Sequence, residues 1–219
     1  MAKTEATKQE KQAVDNPVKT EVIEMLKKTG REGIEDLIAY MEGAGFFTAP
    51  ASGGNHSFGT GGLAEHSLNV CHMAEKIGVA LLGGAEYNKI QDSVVIAALL
   101  HDLGKCGDYG KQMYVPNMIQ DGKPTKADPV QKYKQSEKKP WKRNTDLLPL
   151  DHATRSIKLA TLFIDLTEEE EFAIRYHDGL YETANYAVKG HETQLYMILH
   201  WSDMWSSRVL EGDTGESGE

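Results

Sequence analysis

The segment Val94–Lys105 reads Val-Val-Ile-Ala-Ala-Leu-Leu-His-Asp-Leu-Gly-Lys, and it decides the fold. Its apolar part predicts a buried helix that ends in the adjacent pair His101–Asp102, with Gly104 at the position after the helix. A buried charge is costly unless it is paired or bound to a metal. An imidazole beside a carboxylate suits a transition metal or magnesium, whereas a capped helix end with both side chains in solvent is the alternative for so short a motif.

The composition is that of a globular protein. The 219 residues carry a formal charge of −9, which excludes general nucleic-acid binding by the whole chain. Two cysteines, Cys71 and Cys106, without a Cys-x-x-Cys motif favour a reducing compartment over a disulfide framework. No apolar run approaches the roughly 18 residues of a bilayer span, and Met1–Asn16 lacks the apolar core of a signal peptide. We therefore expect a cytoplasmic protein with no membrane partner.

Helical periodicity divides the chain into four parts. Residues 1–16 are charged and are expected to be disordered. Residues 17–44 are expected to form two helices that pack on the core, and residues 45–210 the main domain. Residues 211–219 have the composition of a disordered acidic tail. About seven helices without a convincing long strand predict an all-α bundle.

Two irregular segments interrupt the helices. Residues 45–62 hold five glycines between positions 53 and 62, which indicates either close backbone approach or a flexible surface loop. Residues 106–150 form an insertion, with a hairpin predicted over Tyr114–Pro124. Eight cations between Lys123 and Arg143 make part of this insertion basic. We interpret this basic segment either as a solvated loop or as an anion-binding surface that borders the active site.

Six polar residues are predicted to occupy inward-facing helical positions: His66, His101, Asp102, His152, His177 and Asp203. A single histidine on an apolar face is more often a hydrogen-bonded core residue than a ligand. Charged residues are almost never fully buried without a partner, so six such positions are hard to explain by core packing. A shared metal centre explains all of them.

The order of these six residues resembles the signature of the HD-domain metal-dependent phosphohydrolase superfamily, which is an all-α bundle. Phe46–Ala51 and Gly61–Leu68 look like the beginning of the HD domain in 3′–5′ exoribonuclease-like members. His101–Lys105 looks like the HD-x-G-K form shared with the HD-GYP cyclic-dinucleotide phosphodiesterases, and Ala173–Gly179 resembles a segment where several relatives have His-His-Gly. The sequence shows neither the OB-like domain of the exoribonucleases nor the Gly-Tyr-Pro element of the HD-GYP class.

The resemblance implies a cofactor of one or two divalent metal ions: Mn, Fe, Zn, Ni or Co, with Mg as a further option. Four side chains would hold the first ion: His66, His101, Asp102 and Asp203. Asp102 would bridge to a second ion held by His152 and His177. Asp178 stands where some binuclear relatives have a second histidine, and it is either a further ligand or faces solvent.

The implied activity is hydrolysis of a phosphate ester, from a nucleotide or a short nucleic acid end, by a metal-activated water. Asp102 and Lys105 are the catalytic candidates, and Lys105, Arg155, Arg175 and His56 are the candidates for substrate binding. For Lys105, Arg155 and Arg175, the alternative is an ordinary exposed position on the protein surface. A mixed-valent di-iron oxygenase and a non-catalytic, ligand-sensing scaffold are the competing functions. Lys105 and the basic segment favour the phosphate ester, and the intact ligand set argues against the scaffold.

Overall fold

The computed structural model describes residues 16–126 and 128–212. The expected disorder of residues 1–15 and 213–219 lies outside the described residues. The predicted all-α bundle is confirmed, with seven α-helices in the described part of the chain. Their bounds are α1 Pro17–Lys28, α2 Ile34–Ala44, α3 Gly62–Leu82, α4 Gly84–Leu100, α5 His152–Ala160, α6 Glu168–Tyr176 and α7 Gln194–Trp205.

The core lies between α3, α4, α6 and α7. α3 packs against α4 and α7, and α6 packs against α4, α5 and α7. Fully buried aliphatic side chains fill the space between these helices, among them Leu63, Leu99, Ile174 and Leu199. Burial of a side chain of this size contributes about 1.5–3 kcal/mol relative to exposure, so this core is the main source of stability.

The N-terminal helices are attached to the core by apolar and ionic contacts. Asn16 accepts a hydrogen bond from the backbone N–H of Lys19 and caps α1, so it does not belong to the expected disordered extension. Arg31 lies in the turn before α2. Its guanidinium donates hydrogen bonds of 2.6 and 2.9 Å to the two carboxylate oxygens of Glu170 on α6.

The chain turns sharply after α4. His101 is the C-cap of α4, and a 3-10 turn follows over Leu103–Cys106. Gly104 lies within this turn and lacks the left-handed backbone of a C′ glycine, so that expectation is wrong. A Cβ at Gly104 would lie 2.3 Å from the carbonyl oxygen of His152. Glycine is therefore needed there because the turn packs directly on the backbone of α5.

The insertion contains four short strands: β1 Tyr114–Pro116, β2 Met118–Gln120, β3 Tyr133–Gln135 and β4 Trp141–Arg143. β1 pairs antiparallel with β4, and β2 with β3. The predicted local hairpin over Tyr114–Pro124 is therefore wrong, because both early strands pair with the later segment rather than with each other.

The glycine-rich loop of residues 45–61 rests on this insertion. A Cβ on Gly53 would lie 3.2 Å from the carbonyl oxygen of Trp141, and one on Gly54 would lie 3.1 Å from that of Lys138. The indole N–H of Trp141 donates a 2.8 Å hydrogen bond to the carbonyl of Phe58. The predicted close backbone approach is confirmed, and its partner is the insertion.

α3 is the longest helix of the described residues, with 21 residues. Its surface is interrupted by exposed charged residues, including Glu65, Glu75 and Lys76. Across the ranges that the structure describes, no helix has both the length and the apolar character that crossing a membrane requires.

Candidate metal centre

The six predicted ligands lie in one cluster, although they come from five separate parts of the chain. His66 lies on α3, His152 is the first residue of α5, and Asp203 lies on α7. The other three, His101, Asp102 and His177, directly follow α4 and α6. In four of the six, namely His66, His101, Asp102 and His177, no more than 1% of the residue surface is exposed.

Helix caps hold two of these histidines in place. The Asp151 side chain accepts a 3.0 Å hydrogen bond from the backbone N–H of Thr154, which starts α5 at His152. Thr167 and Glu170 form a capping box that starts α6, and this helix ends with His177 as its C-cap. These caps fix where α5 and α6 begin, and so place His152 at the start of α5.

One half of the cluster is formed by His66, His101 and Asp203. His66 Nε2 lies 3.1 Å from Asp203 Oδ1 and 3.6 Å from Asp102 Oδ2. His101 Nε2 lies 3.5 Å from the same Asp102 oxygen, and its Nδ1 donates a 2.8 Å hydrogen bond to the carbonyl of Ala98. Burial lowers the pKa of His101 to about 4, so its imidazole is neutral and its Nε2 lone pair faces the cluster.

The other half is formed by His152, His177 and Asp178. His152 Nε2 lies 3.3 Å and His177 Nε2 lies 3.7 Å from Asp102 Oδ1. His177 Nδ1 donates a 2.8 Å hydrogen bond to the carbonyl of Ile174, which leaves Nε2 as an acceptor, 3.2 Å from His152 Nε2. Asp178 Oδ2 lies 3.5 Å from His152 Nε2. Each oxygen of Asp102 thus faces a different set of histidines.

The donor set fits a divalent transition metal. Three buried atoms of the cluster form no well-aligned hydrogen bond within the described residues, although polar atoms lie 3.1, 3.5 and 3.3 Å away: His66 Nε2, His101 Nε2 and Asp102 Oδ1. A buried polar atom without a partner costs about 1–3 kcal/mol, so three in one place need a common explanation. Within each of three groups, the potential ligand atoms lie within 4.8 Å of one another: His66, His101 and Asp203; His101, Asp102 and His177; and His152, His177 and Asp178. Imidazole and carboxylate donors together suit Zn, Fe, Mn, Co or Ni.

Glu211 belongs to this centre, although it was predicted to begin the disordered tail. Its side chain is only 6% exposed, and its Oε2 lies 2.9 Å from His66 Nδ1 and 3.0 Å from His56 Nδ1. The Asn69 side-chain amide donates a 2.9 Å hydrogen bond to the other carboxylate oxygen. The expected tail is therefore wrong for Glu211, which is fixed by several polar contacts.

The position of Glu211 depends on a π-helical turn that follows α7, over Ser206–Leu210. The backbone N–H of Glu211 donates a 2.9 Å hydrogen bond to the carbonyl of Ser206, five residues earlier. Burial disfavours the imidazolium of His66, but the carboxylates of Asp203 and Glu211 outweigh it and raise the pKa of His66 to about 9. The acidic, glycine-rich composition of residues 211–219 does not predict that Glu211 contacts His66.

Lys105 lies directly beside the cluster. Its Nζ is 2.6 Å from Asp102 Oδ2, and 14% of its side chain is exposed. Burial disfavours the ammonium group, but Asp102 outweighs it and raises the pKa of Lys105 above its ordinary value. Lys105 is therefore a fixed positive charge that contacts the carboxylate shared by both halves.

The two arginines predicted to bind substrate lie elsewhere. Arg155 is 2% exposed, and its guanidinium donates a 3.0 Å hydrogen bond to Asp108 of the insertion. Its predicted substrate role is therefore wrong, because a phosphate cannot reach the guanidinium without breaking this buried ion pair. Arg175 lies 3.4 Å from Asp151, the cap of α5, and its substrate role stays a prediction.

A cavity of about 120 Å³ opens beside the cluster. Its lining residues are His56, Lys105, His177, Asp178, Tyr181, His200, Asp203, Met204, Ser207 and Arg208. Arg208 was not predicted, because in a regular α-helix it would lie about 140° around the axis from Asp203. The π-helical turn changes this register, and the Arg208 guanidinium lies 4.7 Å from the ring centre of Tyr181.

The basic segment lies outside this cavity. No described residue of the insertion, 106–150, lines this cavity, but Tyr114 and Trp141 line a neighbouring small pocket together with Lys105. That the basic segment borders the active site therefore stays a prediction. The segment also packs on the glycine-rich loop, where Gly54 contacts Lys138 and Lys139. His56 of the same loop lines the cavity.

Comparison with known proteins identifies one related family. The model of the HD domain family matches residues 63–199. This range begins in the first turn of α3 and ends within α7, and it includes every predicted ligand except Asp203. No curated protein and no solved structure matches the chain.

Proposed function

The chain belongs to the HD domain family, and we propose that it is a metal-dependent phosphohydrolase that hydrolyses a phosphomonoester or phosphodiester of a nucleotide. The arrangement around Asp102 carries this proposal. One oxygen of Asp102 lies near His66 and His101, and the other lies near His152 and His177. A carboxylate with this arrangement is suited to bridge two ions, as in centres that cleave phosphate esters.

The proposed centre has seven ligands. Six are the predicted residues His66, His101, Asp102, His152, His177 and Asp203, and the seventh is Asp178. When bound, divalent ions lower the pKa of a coordinated water and neutralise developing charge on the phosphoryl oxygens. The chain itself orients the donors, since the carbonyls of Ala98 and Ile174 accept from the Nδ1 atoms of His101 and His177. This orientation of the second ring nitrogen is typical of metal-bound histidines.

Three further groups line the cavity where a phosphoryl group would lie. Lys105 and Arg208 place positive charge at the cavity, and positive groups aimed at phosphoryl oxygens stabilise the transition state. His56 Nδ1 is held by Glu211 at 3.0 Å, which leaves Nε2 available to a substrate oxygen. We assign Lys105 and Arg208 to phosphate binding, and His56 to a supporting contact.

The donor set also favours a particular class of metal. Four imidazoles suit Zn, Fe, Mn, Co or Ni, whereas Mg prefers carboxylates and water, so we propose a transition metal. A cytoplasmic location stays a prediction that rests on the buried and unpaired Cys71 and Cys106.

The test combines metal analysis with substrate panels. The purified protein, loaded in turn with Mn, Fe, Zn, Co and Ni, is assayed for phosphate release from phosphomonoesters and phosphodiesters, and for dioxygen uptake. Hydrolysis of one ester class supports the proposal. Dioxygen consumption without hydrolysis would identify an oxygenase, and neither activity with any of the metals would overturn the enzymatic assignment.

Lys105→Met provides a variant that should keep the metal. Removing one electrostatic donor from such a site costs about 10²–10³-fold in rate, so kcat/KM should fall by this amount while metal content is retained. His72→Ala is the matched control, since His72 is a half-exposed histidine of α3 that pairs only with Glu21.

A further inference from the structure

A second cavity adjoins the metal centre. This aromatic groove has a volume of about 340 Å³ and is lined by Leu180, Tyr181, Val188, Glu192, Tyr196, Met197, His200 and Trp201. Tyr181 and His200 line both the aromatic groove and the cavity at the metal centre. The two spaces are therefore neighbours that share a wall.

The wall between them is held rigidly. The rings of His200 and Tyr196 are stacked, with an interplanar angle of 4° and centres 5.6 Å apart. His200 Nδ1 donates a 2.7 Å hydrogen bond to the carbonyl of His177. Gly179, with φ +59°, packs on the His200 ring so closely that a Cβ there would lie 2.4 Å from it. The aromatic groove is thus tied to a predicted metal ligand by short contacts.

The other side of the aromatic groove is open. Tyr181 is 67% exposed and Trp201 is 42% exposed. The Arg208 guanidinium lies 4.7 Å from the centre of the Tyr181 ring but leaves most of this residue exposed. A group of exposed aromatic side chains next to a polar site is typical of a ligand-binding surface. The cavity at the metal centre, at about 120 Å³, holds little more than a phosphoryl group, so the organic part of an ester must lie outside it.

We propose that the aromatic groove binds the planar aromatic base of a mononucleotide whose phosphoryl group lies at the metal centre. This inference rests on the proposed function and names its substrate class. Aromatic side chains stack on the faces of a nucleobase, and Glu192 lines the same groove, where its carboxylate can accept a hydrogen bond from a base amino group. The volume of the aromatic groove lies in the usual range for small-molecule sites.

The charge of the lining distinguishes a mononucleotide from a nucleic acid strand. A strand needs cations that follow its phosphates, in addition to stacking side chains. Among the residues that line the aromatic groove, Glu192 is the charged one, and no lysine or arginine of the described chain lines it. The positive groups of the metal centre, Lys105 and Arg208, do not line the aromatic groove, although the Arg208 guanidinium lies 4.7 Å from the Tyr181 ring centre.

The test measures base binding without catalysis. Adenosine, guanosine, cytidine and uridine are titrated into the full-length, metal-loaded protein by calorimetry, with ribose as the reference. At least one nucleoside should bind more tightly than ribose, and Tyr181→Ala and Trp201→Ala should each weaken that binding about tenfold or more. Trp205→Ala is the matched control, because Trp205 lies on the same helix with 49% exposure but does not line the aromatic groove.

The outcomes separate the two proposals. Phosphate-ester hydrolysis without nucleoside binding, or binding that the Tyr181 and Trp201 variants leave unchanged, would overturn the aromatic groove as a base site while the activity stands. Nucleoside binding without any hydrolysis would leave the base site standing and overturn the activity. A dimer that Trp201→Ala dissociates, together with no nucleoside binding, would assign the aromatic groove to a second copy of the chain instead.

Discussion

Oε2 of Glu211 lies 2.9 Å from Nδ1 of His66, while Nε2 of the same ring faces Asp203 at 3.1 Å. A carboxylate on one nitrogen of a ligand histidine fixes the tautomer and the ring orientation, and it makes the other nitrogen a better donor to a metal. Glu211 is therefore a positioning residue that acts through His66. Its own contacts to Asn69 and His56 hold it in this role.

Glu211→Gln should weaken metal binding about 10- to 100-fold, the usual cost of losing such a supporting carboxylate. The measurement is a competition titration with a metal chelator, with a thermal melt to show that the fold is retained. Glu24→Gln on the exposed side of α1 is the control. Equal affinity in the wild type and in Glu211→Gln would show that His66 is oriented without the carboxylate.

His152→Ala should lower the metal content from two ions to one for each chain. His152 contacts His177, Asp178 and the shared Asp102, so the site at His66 keeps the donors of His66, His101 and Asp203. Metal content is measured by mass spectrometry after removal of loosely bound ions. His191→Ala, on an exposed histidine, should bind as much metal as the wild type. Unchanged stoichiometry in His152→Ala would point to a mononuclear centre.

Glu170→Gln should lower the free energy of unfolding by about 1–3 kcal/mol at neutral pH, because it leaves buried donors without an ionised partner. Burial opposes ionisation of Glu170, but Arg31 and the backbone N–H of Thr167 outweigh it and hold the pKa of Glu170 below its ordinary value of 4.5. This stabilisation is present above pH 4.5 and is lost as the pH falls further.

The difference in melting temperature between wild type and Glu170→Gln should therefore shrink as the pH is lowered from 7 to 3. Glu171→Gln, on the adjacent exposed glutamate, should melt like the wild type at each pH. A constant difference across this range would show that Glu170 stabilises the fold through shape rather than charge.

Gly104→Ala should destabilise the fold by about 1–3 kcal/mol or more, since its Cβ would lie 2.3 Å from the carbonyl oxygen of His152. Gly43→Ala should instead be neutral or stabilise by up to about 1 kcal/mol, because Gly43 lies in α2 with no atom within 4 Å of an added Cβ. Urea denaturation of both variants measures the contrast. Equal stability of the two would mean that the turn and α5 can separate without cost.

The inward-facing polar residues were predictable because helical periodicity shows which face of a helix is buried. The same reasoning failed for Arg155, which follows His152 by three residues. Its side chain turns to Asp108 of the insertion, and an ion pair between segments so far apart in sequence leaves no local pattern. Glu211 and Arg208 were missed because the π-helical turn shifts the register after α7, and helical spacing assumes a constant one.

The insertion shows a similar limit. Asp121-Gly122 is a typical hairpin turn, and alternating residues around it favour local pairing. In the structure Tyr114 pairs instead with Arg143, and Gln120 with Tyr133. Whether a strand pairs with a near or a distant segment depends on the surface that the paired strands cover, which here is the glycine-rich loop. Strand propensity contains no information about that surface.

The contact between His66 and Glu211 joins residues that are 145 positions apart. Closing a loop of that length costs entropy that only the packed bundle can offset, so this contact is expected to form late in folding. α3 and α4, which are adjacent in the chain, can pair much earlier. Metal ions would therefore bind after the site is almost completely folded and would not direct folding. The geometry of this preformed site would then determine which metal binds.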